Sequence, residues 1–288
     1  MAINVSVNDS RAFQSDQPKV VVRAIATRHN QARAEWARRL DICRELLIEG
    51  ADVNDEGFGM QPLTMAVSIG YREMVELLLE FGADIQGGRK FSTPLLRAAA
   101  TPELYALLLS YGAVETAFTD AAVGDLKRLA RRLKKAPELI KCADEDGLTL
   151  LHHAATHLKD EVVTFLIEAG ADVQAQAAAS FGIRPIHVAA RHPTGNVVVM
   201  SLLIEAGVEV NAGDSNGVTA LHMSVRDRNL PAVELLLANG AGPNAEDRGR
   251  GSTPLRRAVA NTGRGGVVGK GEQAGGGTHH RPALILWS

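Results

Sequence analysis

Leu46-Leu47-Ile48-Glu49-Gly50-Ala51-Asp52-Val53-Asn54 is a phrase the chain writes again and again. It returns as Leu77-Leu78-Leu79-Glu80-Phe81-Gly82-Ala83-Asp84-Ile85 and as Leu107-Leu108-Leu109-Ser110-Tyr111-Gly112-Ala113. Further copies are Phe165-Leu166-Ile167-Glu168-Ala169-Gly170-Ala171-Asp172-Val173, Leu202-Leu203-Ile204-Glu205-Ala206-Gly207 and Leu235-Leu236-Leu237-Ala238-Asn239-Gly240-Ala241. The shared glycines, at 50, 82, 112, 170, 207 and 240, are 32, 30, 58, 37 and 33 residues apart. A period near 33 with one double-length gap describes a row of similar small units.

A second phrase precedes each copy: Gln61-Pro62-Leu63-Thr64, Thr93-Pro94-Leu95-Leu96, Thr149-Leu150-Leu151-His152, Arg184-Pro185-Ile186-His187, Thr219-Ala220-Leu221-His222 and Thr253-Pro254-Leu255-Arg256. Its chemistry starts a helix. A threonine hydroxyl caps free backbone N–H groups, and proline at the first helical position lacks an N–H that would have no partner there anyway. Alanine pairs such as Ala154-Ala155 and Ala189-Ala190 let this first helix sit close to its neighbours. The leucine phrase then closes a second helix with apolar residues at helical spacing, such as Met74, Leu77 and Leu78. Glycine supplies the left-handed residue that ends it. One such pair cannot bury its apolar face alone and must stack on the next.

On these two phrases the chain resembles the ankyrin repeat family across roughly residues 20–260. The resemblance implies an all-α solenoid of stacked helix-turn-helix units with projecting β-turn or hairpin tips. It also implies a non-enzymatic scaffold that needs no cofactor or metal and binds another protein as a monomer. The expected organisation is an N-terminal flexible segment over 1–19, a repeat domain over 20–262 and a glycine-rich tail over 263–288. Seven repeats and the start of an eighth are recognisable. The first is divergent, with helices expected over Val20–Arg28 and Arg38–Ile48 around an insert holding Arg33, Arg38 and Arg39. The fourth fills the double-length gap with Asp120-Ala121-Ala122-Val123-Gly124-Asp125-Leu126 and a helix through Leu129 and Leu133 to Pro137.

The resemblance implies that partners meet the turn tips and the exposed positions of the first helices, which together make a concave face. Carried over by position, the candidate contacts are Phe58, Met60, Ile69, Lys90, Thr101, Asp146, His157, Phe181, Ile183, Arg191, His192, Asn216, Asp227 and Arg250. Phe58 and Phe181 are the expected anchors, because exposed aromatics dominate binding energies.

Other motifs carry less. His152, His187 and His222 occupy the fourth position of the starting phrase, where the resemblance gives histidine the task of holding the turn. His153 and His157 have chelating spacing, but only Asp160 could join them, so a solvated helix face is the expectation. Gly265 to Gly271 resembles a phosphate loop yet has Arg264 at the leading glycine position and Gly271 where Ser or Thr is needed. Asn54 and Asn211 end exits of the kind that animal asparaginyl hydroxylases modify; satisfying turn backbone is their expected role. Lys127, Arg128, Arg131, Arg132, Lys134 and Lys135 make residues 126–135 a basic helix, read as a solvated face or as a dock for an acidic protein or nucleic acid.

Net charge is −2 and pI about 6.5, so global electrostatics give no case for nucleic acid or anionic lipid. Cys43 and Cys142, on expected helices, read as buried reduced thiols of a cytoplasmic protein, or of an effector translocated into a host cell. No segment has signal-peptide or membrane-span character. Residues 263–277 hold eight glycines, each costing about 1 kcal/mol against alanine in a helix, so the second helix of repeat eight is expected to be missing. Val233, Leu236 and Leu237 are then expected to be partly uncovered. A shifted reading frame and a flexible linker are alternative origins of this segment.

Overall fold

The computed structural model describes residues 33–56, 60–87, 93–191 and 197–260. The described residues form 14 α-helices and no strand, and three isolated antiparallel bridges mark turn tips. Two compact units are present, residues 1–114 and 115–288.

In the first unit, α1 (Arg33–Ile48) runs through the arginine-rich stretch expected to be an insert, so this helix begins five residues earlier than the expected Arg38. Repeat two is α2 (Pro62–Ile69) and α3 (Arg72–Glu80). Repeat three is α4 (Pro94–Arg97), a 3-10 turn over Ala98–Ala100 and α5 (Pro102–Ser110). Proline opens α2 and α4, as the sequence phrase requires, and it also opens the second helix α5. Leu63, Met74, Leu77, Leu78, Leu95 and Leu108 fill this unit's core together with Cys43.

The second unit holds repeats four to eight: α6 (Ala117–Val123) with α7 (Leu126–Lys135), α8 (Leu150–Thr156) with α9 (Asp160–Glu168), α10 (Pro185–Ala190) with α11 (Val198–Glu205), α12 (Ala220–Arg226) with α13 (Leu230–Ala238), and α14 (Pro254–Ala260). The first helices pack as a row, α6 on α8, α8 on α10, α10 on α12 and α12 on α14. Repeat four lacks the signature phrases but substitutes equivalent chemistry. Thr116 and Thr119 form a capping box, Gly124 (φ 89°) ends α6, and Asp125 caps α7.

The leucine-phrase glycines at 50, 82, 112, 170, 207 and 240 all have positive φ, and a Cβ built on any of them would meet nothing within 4 Å. Glycine is therefore there for its backbone conformation rather than for space. The end of the first helix needs the same conformation. Gly70 and Gly124 supply it in repeats two and four, whereas Leu158 (φ 50°) and Arg228 (φ 58°) stand there in repeats five and seven. A left-handed non-glycine residue costs about 1–2 kcal/mol. Glycine loses up to about 1 kcal/mol more chain entropy on folding. Arg228 is exposed, so Arg228→Gly is expected to raise stability by up to about 1 kcal/mol, read as a higher urea midpoint. Leu158 packs against the core, so Leu158→Gly should lower it. Midpoints moving in the same direction would refute this account of strain.

Two ladders of side chains stitch repeat to repeat. In the first, the backbone N–H of Thr149 donates to His152 Nδ1 (3.2 Å), that of Arg184 to His187 Nδ1 (2.9 Å) and that of Thr219 to His222 Nδ1 (3.2 Å). A backbone N–H can only donate, so each Nε2 carries the ring proton. It gives that proton to a carbonyl of the following repeat: Ile183 (3.1 Å), Ala212 (2.8 Å) and Ser252 (2.9 Å). In the second ladder, side-chain amides after the exits reach the next exit. Asn54 Oδ1 accepts from Asp84 N–H (2.7 Å), and Gln86 Nε2 donates to Gly112 O (3.2 Å). Gln174 Nε2 donates to Gly207 O (3.0 Å), and Asn211 donates to Gly240 O (2.9 Å) while accepting from Gly242 N–H (2.7 Å). Asn54 and Asn211 thus satisfy turn backbone, but that of the neighbouring repeat.

Several expectations need correction. Cys142 follows a 3-10 turn over Pro137–Lys141 and is exposed; only Cys43 is buried, and burial pushes its thiol up to about 11. His153 is buried, because α8 is covered by both α6 and α10, and its Nε2 lies 2.8 Å from Asp144 Oδ2. Leu236 is fully buried, whereas Val233 is half-buried and Leu237 exposed; among the described residues at this end the largest apolar exposures are Leu255 and Val259, each 71%, on α14. The basic helix is not uniformly solvated, as detailed below. The helix expected over Val20–Arg28 and the glycine-rich tail lie outside the described residues.

Candidate protein-binding surface

In repeats five, seven and eight one carboxylate ties the tip. Asp144 Oδ1 accepts from the N–H groups of Asp146 (3.0 Å) and Leu148 (2.8 Å), and Asp214 Oδ1 does the same for Asn216 (2.8 Å) and Val218 (2.9 Å). Asp247 Oδ1 takes Arg250 N–H (2.8 Å) while Arg257 holds its Oδ2 at 2.6 Å, and these bonds keep its carboxyl far below the usual range against the opposing effect of burial. Repeat six has no such aspartate. It turns by a 3-10 segment, Ala178–Ser180, and then by two successive left-handed residues, Phe181 (φ 59°) and Gly182 (φ 65°).

Phe181 is thereby held on the tip with the residue 51% exposed, while its carbonyl accepts the Ser215 N–H of the next tip at 2.7 Å. Its neighbour Ile183, expected on the surface, is buried, and its carbonyl serves the histidine ladder. Asp146 and Asn216 are half-buried in their tips, and Arg250 is exposed.

The first-helix ends of repeats five, six and seven present His157, Arg191 and Asp227, the C-terminal caps of α8, α10 and α12. All three are half-buried. Asp227 is gripped by Arg226, Nε to Oδ1 at 2.9 Å and Nη2 to Oδ2 at 3.0 Å. Burial, with Arg226 nearby, pulls the Arg191 guanidinium below its ordinary value, against the attraction of Asp227. In the first compact unit, Met60, Ile69 and Thr101 are half-buried. Phe58, Lys90 and His192 lie outside the described residues.

The basic helix α7 is divided. Arg128 and Arg132 turn onto the buried Asp120, at 3.3 and 2.6 Å, and Arg128 also pairs with Glu115 and with Asp125 (2.6 Å). Burial still pushes the Asp120 carboxyl above its ordinary value. Only Lys127, Arg131, Lys134 and Lys135 are exposed on the helix. Sequence reading missed this cluster; the signal was Asp125 one turn ahead of Arg128, with Asp120 on the preceding helix.

Among the described residues no helix is long and apolar enough to cross a membrane, and no group of three His, Cys, Asp or Glu could hold a metal ion. The family model for ankyrin repeats (3 copies) matches residues 32–120 and 172–247, and the single ankyrin repeat matches residues 146–178. The chain belongs to the ankyrin repeat family, whose members are in general non-catalytic protein–protein interaction modules. No curated protein matches it.

Proposed function

We propose that this chain is a non-enzymatic scaffold in the cytoplasm, or delivered into a host cell, that binds a protein partner along its tips and first-helix ends. Phe181 is the anchor of this surface. The observation that supports the reading is local: a phenylalanine stays exposed in a left-handed conformation that side chains adopt at a cost of about 1–3 kcal/mol. Neither core packing nor turn chemistry explains it, since asparagine or glycine would make the same turn with less strain. Met60, Ile69 and Thr101 in the first unit and Asp146, His157, Arg191, Asn216, Asp227 and Arg250 in the second are further proposed contacts, as are Phe58, Lys90 and His192.

Phe181→Asn separates binding from folding, because asparagine tolerates the left-handed region. A partner identified by affinity capture and mass spectrometry is expected to bind this variant with about 1–3 kcal/mol less free energy, roughly 5- to 150-fold weaker. The urea midpoint should equal or exceed that of the parent. Unchanged affinity would remove Phe181 from the site, and a lower midpoint would make its role structural.

A further inference from the structure

Among the described residues, nothing accepts a hydrogen bond from the side chain of Arg191, a mostly buried cation. Its side chain is 13% exposed, and its Nε is fully buried with no acceptor. The nearest carboxylate oxygen, Asp227 Oδ2, is 3.9 Å from that Nε, beyond hydrogen-bonding range. Both oxygens of Asp227 are already engaged by Arg226 in a two-pronged pair. Asp227 could serve Arg191 only by giving up part of that pair. Two guanidiniums therefore share one carboxylate, and the trio carries one excess positive charge.

Buried donors are almost always bonded, and one that is not calls for an explanation. A guanidinium is planar and forked, the shape that receives a carboxylate through two parallel hydrogen bonds. The charge balance specifies the ligand. A carboxylate would bring the trio to neutrality, whereas a phosphate dianion would leave net negative charge beside Asp227 in a partly desolvated place. We propose that Arg191, flanked by Arg226, receives an aspartate or glutamate side chain of the protein partner. The inference rests on the scaffold reading above and adds the partner's chemistry to it. Phe181 stands on the tip that leads into the same first helix, α10.

The test uses acetyl-tetraglutamate-amide as the probe and the Arg191 Nε–Hε resonance of the full chain as the readout. At low ionic strength a saturable shift is expected, absent with acetyl-tetraglutamine-amide and retained in the Phe181→Asn chain. In Arg191→Lys, which keeps the charge but loses the fork, a fluorescent form of the probe should bind at least tenfold more weakly. No shift, or an equal shift from sodium chloride at matched ionic strength, would overturn the site. Should Arg191→Lys fail to fold, the titration of the parent chain decides alone. If Phe181→Asn loses the protein partner while the probe leaves Arg191 unmoved, the carboxylate site falls and the scaffold reading stands. A probe that binds Arg191 in a chain whose partner ignores Phe181→Asn gives the opposite separation.

Discussion

His187→Ala is expected to destabilise the fold by about 2–5 kcal/mol without altering any exposed surface. The imidazole is fully buried and bonds at both ends, accepting from Arg184 N–H at 2.9 Å and donating to Ala212 O at 2.8 Å. Alanine would leave a donor in one repeat and an acceptor in the next without partners, each at about 1–3 kcal/mol, and would open a cavity between them. No other single side chain on this helix spans the two repeats with both a donor and an acceptor. Urea unfolding is the measurement, and a loss below about 1 kcal/mol would mean that water replaces the ring at no cost.

The same ladder sets a pH dependence. Burial lowers His152 to about 4 and also depresses His187 and His222, while their carbonyl partners pull the other way. The folded histidines therefore release protons that the unfolded chain, near 6.5, retains. Stability from this source is complete above pH 6.5 and falls as pH drops from there toward 4. For His152 alone the full window is worth about 3 kcal/mol. Asp120, raised by burial, has the opposite sign and gains stability as pH falls through its folded value. Asp144 and Asp247, both lowered, lose theirs only below the ordinary carboxylate range. The clearest reading is thus the decline just below pH 6.5, which should be smaller in His152→Gln than in the parent. A stability that rose on acidification from 6.5 to 5 would contradict it.

What the sequence makes legible is chemistry that one repeat needs for itself. Exit glycines announce a left-handed backbone, Thr-Pro announces a helix start, and His at the fourth position follows the family pattern; all of these stand where the two phrases put them. What it hides depends on a neighbour some thirty residues away. His153 looks like a solvated partner for His157, yet its helix is covered on both sides. Arg128 and Arg132 look like members of a basic face until Asp120 and Glu115 are folded against them. Phe181 was legible as an exposed aromatic, whereas its backbone strain was not. The absence of a tip aspartate in repeat six was the clue, since Asp144, Asp214 and Asp247 tie the tips on either side. Arg191 and Asp227 were placed on the candidate surface by register alone; the rivalry with Arg226 for one carboxylate appears only in three dimensions.

Replacing residues 261–288 with an ankyrin-type second helix and a polar-faced cap is expected to stabilise the chain by several kcal/mol. The reason lies in α14, whose Leu255 and Val259 are one turn apart and each 71% exposed, although Pro254 beside them is buried. In repeats five to seven the matching Leu151, Ile186 and Leu221 are buried, and the second helix packs on the first. Full burial of one such side chain contributes about 1.5–3 kcal/mol, at about 25 cal/mol per Å² of apolar surface removed from water. Covering both side chains outweighs the cost of ordering a helix only if that helix brings its own leucines into the contact, as Leu235 and Leu236 do in repeat seven. A terminal repeat with a polar outer face is also what keeps a stacked protein from presenting its last apolar surface to solvent. The comparison that decides is between two replacements of equal length, one leucine-bearing and one in which those leucines are serine. A higher urea midpoint and slower hydrogen exchange at 254–260 are expected only in the first. If both replacements stabilise α14 equally, or if neither does, the exposed Leu255 and Val259 are not what limits stability at this end.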